Sequence, residues 1–129
     1  SRYHRPSLVD GSFAAAQASC SAEGAYVVVP SDRAEAMAIF ATMGDSYFWV
    51  GITDEAVEGK YLSVLGDDLT EAIAVAQANP EHATWWWNAA TQPDDSGDCV
   101  SFIRAGLDPG AHLDDADCAG LRYALCECE

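Results

Sequence analysis

Basic residues are scarce in this 129-residue chain: six Lys and Arg stand against 21 Asp and Glu, for a formal net charge of −15. A surface of that sign repels a phosphate backbone, which argues against nucleic acid as a partner. It disfavours anionic membrane surfaces for the same reason. Long apolar runs are missing as well, so membrane insertion is not expected. No signal peptide is visible, and the chain starts abruptly at Ser1, as a processed chain would. No Cys-x-x-Cys pair occurs among Cys20, Cys99, Cys118, Cys126 and Cys128, which speaks against a zinc knuckle or a thioredoxin-type site. His4, His82 and His112 are too scattered to hold zinc. Internal repeats and linkers are also absent.

What is present fits one folded domain spanning 1–129. Half of the residues are apolar, enough for a core and against disorder. Five cysteines permit two bridges and one leftover thiol, the usage of an oxidising, extracellular compartment. The pairing is left open by sequence alone. Acids can keep a surface solvated, and Asp32, Glu35 and Glu81 read that way. Acids can also bind hard cations, and those near the C-terminus cluster as ligands would.

Leu8 and Val9 are expected to end a first strand. Ser12 is placed to cap a helix to about Ser21, with Phe13, Ala16 and Cys20 on one face. Gly24 is a stop signal. Ala25 to Val29 is a β-branched run ended by Pro30. Ser31 or Asp32 caps a second helix whose buried face is Met37, Phe40 and Ala41. Tyr47 to Ile52 and Tyr61 to Leu65 read as strands around an acidic turn from Thr53 to Lys60. Leu69 to Gln77 reads as a short helix, and Trp85 to Gly97 as irregular. Cys99 to Ile103 and Arg122 to Cys126 complete the strands. Two early helices and several late strands predict an α+β fold.

Four cues appear in order: Phe48-Trp49-Val50-Gly51-Ile52 followed by Thr53-Asp54-Glu55; Gln92-Pro93-Asp94 shortly before Asp98-Cys99-Val100; Leu113-Asp114-Asp115 ahead of Cys118; and Tyr123-Ala124-Leu125-Cys126-Glu127. In this order and spacing they resemble the C-type lectin-like domains, over essentially the whole chain. The resemblance implies two helices, small antiparallel sheets and a long calcium-binding loop region. It implies the pairs Cys20–Cys126 and Cys99–Cys118, worth roughly 4–5 and 3 kcal/mol in the chain-entropy account. Cys128 is left over, as a tail thiol or a link to a second copy.

The resemblance also implies a site. Calcium takes about six to eight oxygens in a flexible shell. Gln92 and Asp94, aimed by Pro93, and Asp114 and Asp115 match the positions that hold a primary ion, leaving room for the vicinal diol of a sugar. In the family, the Gln-Pro-Asp order goes with galactose and N-acetylgalactosamine. Galactose has an apolar face that packs on aromatic rings, and Trp87 is the chosen candidate among Trp85, Trp86 and Trp87. His112 is placed to hydrogen-bond a sugar hydroxyl; the alternative is a plain surface histidine. Asp54, Glu58, Asp95 and Asp98 match a second calcium position.

Two departures from the family pattern stand out. Gly97 replaces an acid, and Leu113-Asp114 replaces Trp-Asn. One acid is lost and one gained, so the local charge is kept. The expected function is a calcium-dependent, galactose-type lectin that is secreted, is not an enzyme, and binds glycans of cell surfaces or glycoproteins, with a homo-oligomer through Cys128 as a route to avidity. The alternative is the same fold binding a protein, or serving structurally without sugar. A carboxylate-pair hydrolase is disfavoured, because acids around calcium stay ionised.

Overall fold

The computed structural model describes residues 2–3, 7–30, 35, 38–39, 47–71, 97–104 and 111–128, with side chains for all of these except 2–3, 7–10, 102–104 and 111–114. Strands β1 (Arg2–Tyr3) and β2 (Ser7–Gly11) lead into helix α1 (Phe13–Ala22). Then follow β3 (Tyr26–Val27), β4 (Phe48–Thr53), β5 (Leu62–Ser63), β6 (Cys99–Arg104), β7 (Ala111–Ala116), β8 (Arg122–Ala124) and β9 (Cys126–Cys128). The architecture is α+β, as expected. Of the second predicted helix, only Glu35, Ala38 and Ile39 are described, and they are helical. Thr70 and Glu71 are likewise helical, and the rest of the predicted 69–77 helix lies outside the described residues. So do Met37, Phe40 and Ala41.

Helix α1 begins where Ser12 takes an extended conformation and its hydroxyl accepts from the Ala15 N–H at 3.2 Å. That satisfies one of the donors a helix start leaves unpaired. The face made by Phe13, Ala16 and Cys20 is buried, as its spacing requires. It packs on Trp49 of β4: the Phe13 and Trp49 rings meet edge to face, centroids 5.8 Å apart. The Trp49 indole N–H donates to the Gly11 carbonyl at 2.8 Å, so this buried donor is paired. The Arg122 guanidinium lies 5.2 Å from the Trp49 ring centre and 5.8 Å from that of Tyr47.

The strands form two sheets. The smaller has the order β1-β9-β3, and the larger β2-β8-β4-β6-β7 with β5 on β4. Strand β4 is central and wholly apolar from Phe48 to Ile52, all of it buried. It runs antiparallel to β6 and parallel to β8. Gly51 is required there. Its N–H donates to Val28 O, its carbonyl accepts from Val64 N–H, both at 2.8 Å, and a Cβ would strike the Val27 carbonyl and the Val64 side chain. The variant Gly51→Ala is expected to lose about 1–3 kcal/mol, the usual cost of overpacking, read as a lower urea midpoint with unchanged m-value.

Several boundaries differ from those expected. The first strand runs to Gly11, past Val9. The 25–29 run is a strand only at Tyr26–Val27. The 61–65 run is cut at Ser63, whose hydroxyl accepts from the N–H groups of Leu65 and Asp67, both at 3.2 Å, and folds the chain into a turn. The 122–126 run is two strands in different sheets, hinged at buried Leu125. Strand β7 was not anticipated at all.

Two disulfides staple the fold: Cys20–Cys126, 106 residues apart, and Cys99–Cys118, 19 apart. These are the pairs the family resemblance implied. Cys128 lies outside both bridges and is half-buried.

Candidate cation site

The acidic turn after β4 is where the structure gathers charge. Strand β4 ends at Thr53, and the next residue, Asp54, is turned inward and 1% exposed. Its backbone N–H donates to the Asp98 carbonyl at 2.9 Å. This ties the turn to the residue just before β6. Gly59, at φ +81°, closes the turn and points its N–H at Asp54 Oδ2, 2.9 Å away. The oxygens of Asp54, Glu58 and Asp98 come within 4.8 Å of one another. Three of the four residues expected at the second calcium position therefore converge; the fourth, Asp95, lies outside the described residues.

Asp54 Oδ1 is buried with no hydrogen-bond partner. An ionised oxygen left so would cost several kcal/mol, unless a counter-charge meets it or a proton neutralises it. Burial pushes the Asp54 carboxyl above the ordinary carboxylate range; the Gly59 N–H works against the shift, and the neighbouring Asp98 charge adds to it. A hard divalent cation among three carboxylates removes all of these costs together. The donor set, oxygen only, suits calcium rather than a softer metal.

The second group of potential ligands is Glu55, Cys99 and Cys118. Its sulfurs are joined in the disulfide and offer no thiolate. Glu55 Oε1 lies 3.5 Å from Cys99 Sγ, a contact without a proton to share. Nothing in the sequence pointed to this approach, because Glu55 and Cys99 meet only through the pairing of β4 with β6.

Gln92, Asp94 and Trp87 lie outside the described residues. Asp114, Asp115 and His112 fall on β7, opposite Ser101, Val100 and Ile103 of β6. Asp115 is fully buried; the side chains of Asp114 and His112 are not among those described. Gly97 is packed so tightly that a Cβ would fall inside the backbone of Ala116 and Asp117. A third buried carboxylate, Glu127 on β9, accepts from the Val29 N–H at 3.1 Å. The Cys126-Glu127 motif marked its place in the family pattern but gave no sign of this role.

The family profile of the Lectin C-type domain matches residues 10–128. The chain belongs to that family. The mouse scavenger receptor C-type lectin carbohydrate-recognition domain is similar at 24% identity, with a TM-score of 0.74 over 100% of this chain and 92% of that one. A C-type lectin of the tunicate Polyandrocarpa misakiensis is similar at 23% identity, TM-score 0.72, covering 99% and 98%. The C-type lectin domain of murine dendritic cell inhibitory receptor 2, solved in complex with an N-glycan, shares 20% identity at TM-score 0.73, covering 93% and 84%. At these identities the likeness shows the fold. Members of the family are non-enzymatic domains that typically bind carbohydrate and usually bind calcium, so the domain is not an enzyme. No described helix is long and apolar enough to cross a membrane.

Proposed function

We propose that residues 1–129 form a single secreted C-type lectin domain that binds galactose or N-acetylgalactosamine through calcium. The observation that carries the calcium part is the buried, unpartnered Asp54 Oδ1 beside Glu58 and Asp98. Asp95 is the proposed fourth member of that position. The primary, sugar-bearing position is assigned to Gln92, Asp94, Asp114 and Asp115. When bound there, calcium would supply a Lewis acid that accepts a lone pair from each hydroxyl of a vicinal diol. The protein's part is to complete the hydroxyls' hydrogen bonds. Gln92 has N–H groups to donate, whereas Asp94 and Asp114 only accept. This donor–acceptor order supports galactose-type sugars over mannose. Trp87 is the proposed stacking ring and His112 a further hydrogen-bond partner. A single site of this type is weak, and a second copy linked through Cys128 would supply avidity on cell-surface or glycoprotein glycans.

A second reading, a protein-binding or purely structural domain, is favoured by one observation. Gly97 has no room for the side chain that sugar-binding relatives carry there. Calorimetric titration of galactose, N-acetylgalactosamine and mannose, with calcium and again with EDTA, separates the two. Heat from the first two sugars, in calcium alone, is the expected result. Heat from mannose instead would overturn the donor–acceptor argument. No sugar heat, with calcium binding intact, would favour the second reading.

A further inference from the structure

We propose that the Cys99–Cys118 disulfide and the cation position at Asp54, Glu58 and Asp98 form one linked unit, so that reducing the disulfide releases the ion. The inference rests on the calcium reading above. Its structural basis is contiguity. Asp98 directly precedes Cys99, and its carbonyl holds the Asp54 N–H. Cys99 begins β6, paired with Thr53 of β4 on one side and Ala116 of β7 on the other. Gly97 packs on Ala116 and Asp117, one residue before Cys118. The disulfide is the covalent clamp on this corner.

The clamp opposes a real force. Asp54, Glu58 and Asp98 repel one another at close range, and Glu55 adds a fourth carboxylate against Cys99 Sγ. With the clamp closed, the three oxygens are held together and the ion finds a preformed shell. With it open, the carboxylates are free to separate, and the ion must reassemble them, which weakens binding.

Access selects which bridge reacts. Cys20, Cys126 and Cys99 are buried, whereas Cys118 is half-buried. A dithiol reductant therefore attacks Cys118 Sγ with one thiolate. A new S–S bond forms to Cys118, the Cys99–Cys118 bond breaks, and Cys99 leaves with the electron pair and takes a proton from water. The second thiol of the reductant then displaces Cys118. The protein gains two electrons and two protons, and the dithiol becomes a cyclic disulfide. Linkage is reciprocal: the factor by which reduction lowers ion affinity is the factor by which the ion protects the disulfide.

The test uses the whole chain with Cys128→Ser, which removes the spare thiol. Calcium affinity is measured by calorimetry for the oxidised protein and for Cys99→Ser/Cys118→Ser, and dithiothreitol redox equilibria are read by alkylation and mass spectrometry in calcium and in EDTA. The expected result is a fall in calcium affinity of about tenfold or more on losing the bridge, with calcium lowering the Cys99–Cys118 potential by the matching amount, about 30 mV per tenfold for two electrons. In Asp54→Asn the calcium dependence of the potential should vanish. Equal calcium affinity with and without the bridge overturns the linkage while leaving the calcium reading intact. No calcium binding by the oxidised protein overturns the calcium reading itself. If the double serine variant is unfolded by circular dichroism, the redox equilibrium of the bridged protein decides alone, and a potential indifferent to calcium overturns the linkage.

Discussion

Asp54→Asn is expected to cut calcium affinity at the Asp54, Glu58 and Asp98 cluster by about a hundredfold or more, and yet to leave the calcium-free protein more stable than its parent. The two effects share one cause. Asp54 is nearly inaccessible, and only one of its carboxyl oxygens is paired, to the Gly59 N–H. Asparagine keeps that acceptor and removes the uncompensated charge. In EDTA the variant therefore melts higher. In calcium the order reverses: at a hundredfold excess over Kd the parent gains about 2.7 kcal/mol from this position, roughly a ten-degree rise in Tm for a domain of this size, and the variant gains little from it. Differential scanning calorimetry in both buffers reads the crossover; a variant less stable than the parent in EDTA would sink the argument.

The pH dependence carries the same sign. In calcium-free buffer the folded Asp54 carboxyl holds its proton more tightly than the unfolded one does, mainly because of burial. The stability tied to that proton is fully present below the unfolded value and is lost as pH rises through the folded value. The advantage of Asp54→Asn should therefore be largest at neutral pH and close as the solution is acidified.

Removing Cys20–Cys126 by paired alanine substitution is expected to be the most damaging change to stability. The bridge spans 106 residues and joins α1 to β9, so its loss frees the unfolded chain of its longest constraint. A cost of about 4–5 kcal/mol follows from the loop length, and the cavity left in the core cluster that Cys20 and Cys126 share with Phe13, Val27 and Trp49 adds to it. Against a total of roughly 5–15 kcal/mol, that brings the domain close to its unfolding limit. Urea unfolding should show a midpoint at less than about half the parent's. A loss below about 1 kcal/mol would mean that the β1–β9 and β3–β9 pairings hold the termini without it.

The sequence announced these features unevenly, for physical reasons. The Ser12 cap and the Phe13, Ala16, Cys20 stripe are local signals, written within three and four residues of one another, and the structure keeps both. Strand β4 was legible because five consecutive buried residues leave no other reading. Strand β7 was hidden. His112, Asp114 and Asp115 interrupt any apolar alternation, and Asp115 is buried despite its charge, so periodicity could not find it. The break at Leu125 was invisible for the opposite reason: apolar residues run through it while the chain changes sheets. Asp54, Glu58 and Asp98 could be grouped only through resemblance, since 40 residues separate Glu58 from Asp98 in the chain. The contact of Glu55 with Cys99 and the tight seat of Gly97 are products of strand pairing and leave no mark on composition.

The same 106-residue span governs how the chain can be made. At roughly 5–20 residues per second, Cys20 leaves the ribosome several seconds before Cys126 does. During that wait α1 has neither β8 nor β9 to pack against, and Cys99 and Cys118 emerge first as competing partners for its thiol. Cys128 then arrives two residues behind the correct one. The order of synthesis thus favours wrong bridges before right ones. The yield of native protein should depend on thiol–disulfide reshuffling after translation, more than on the rate at which the backbone finds its sheets.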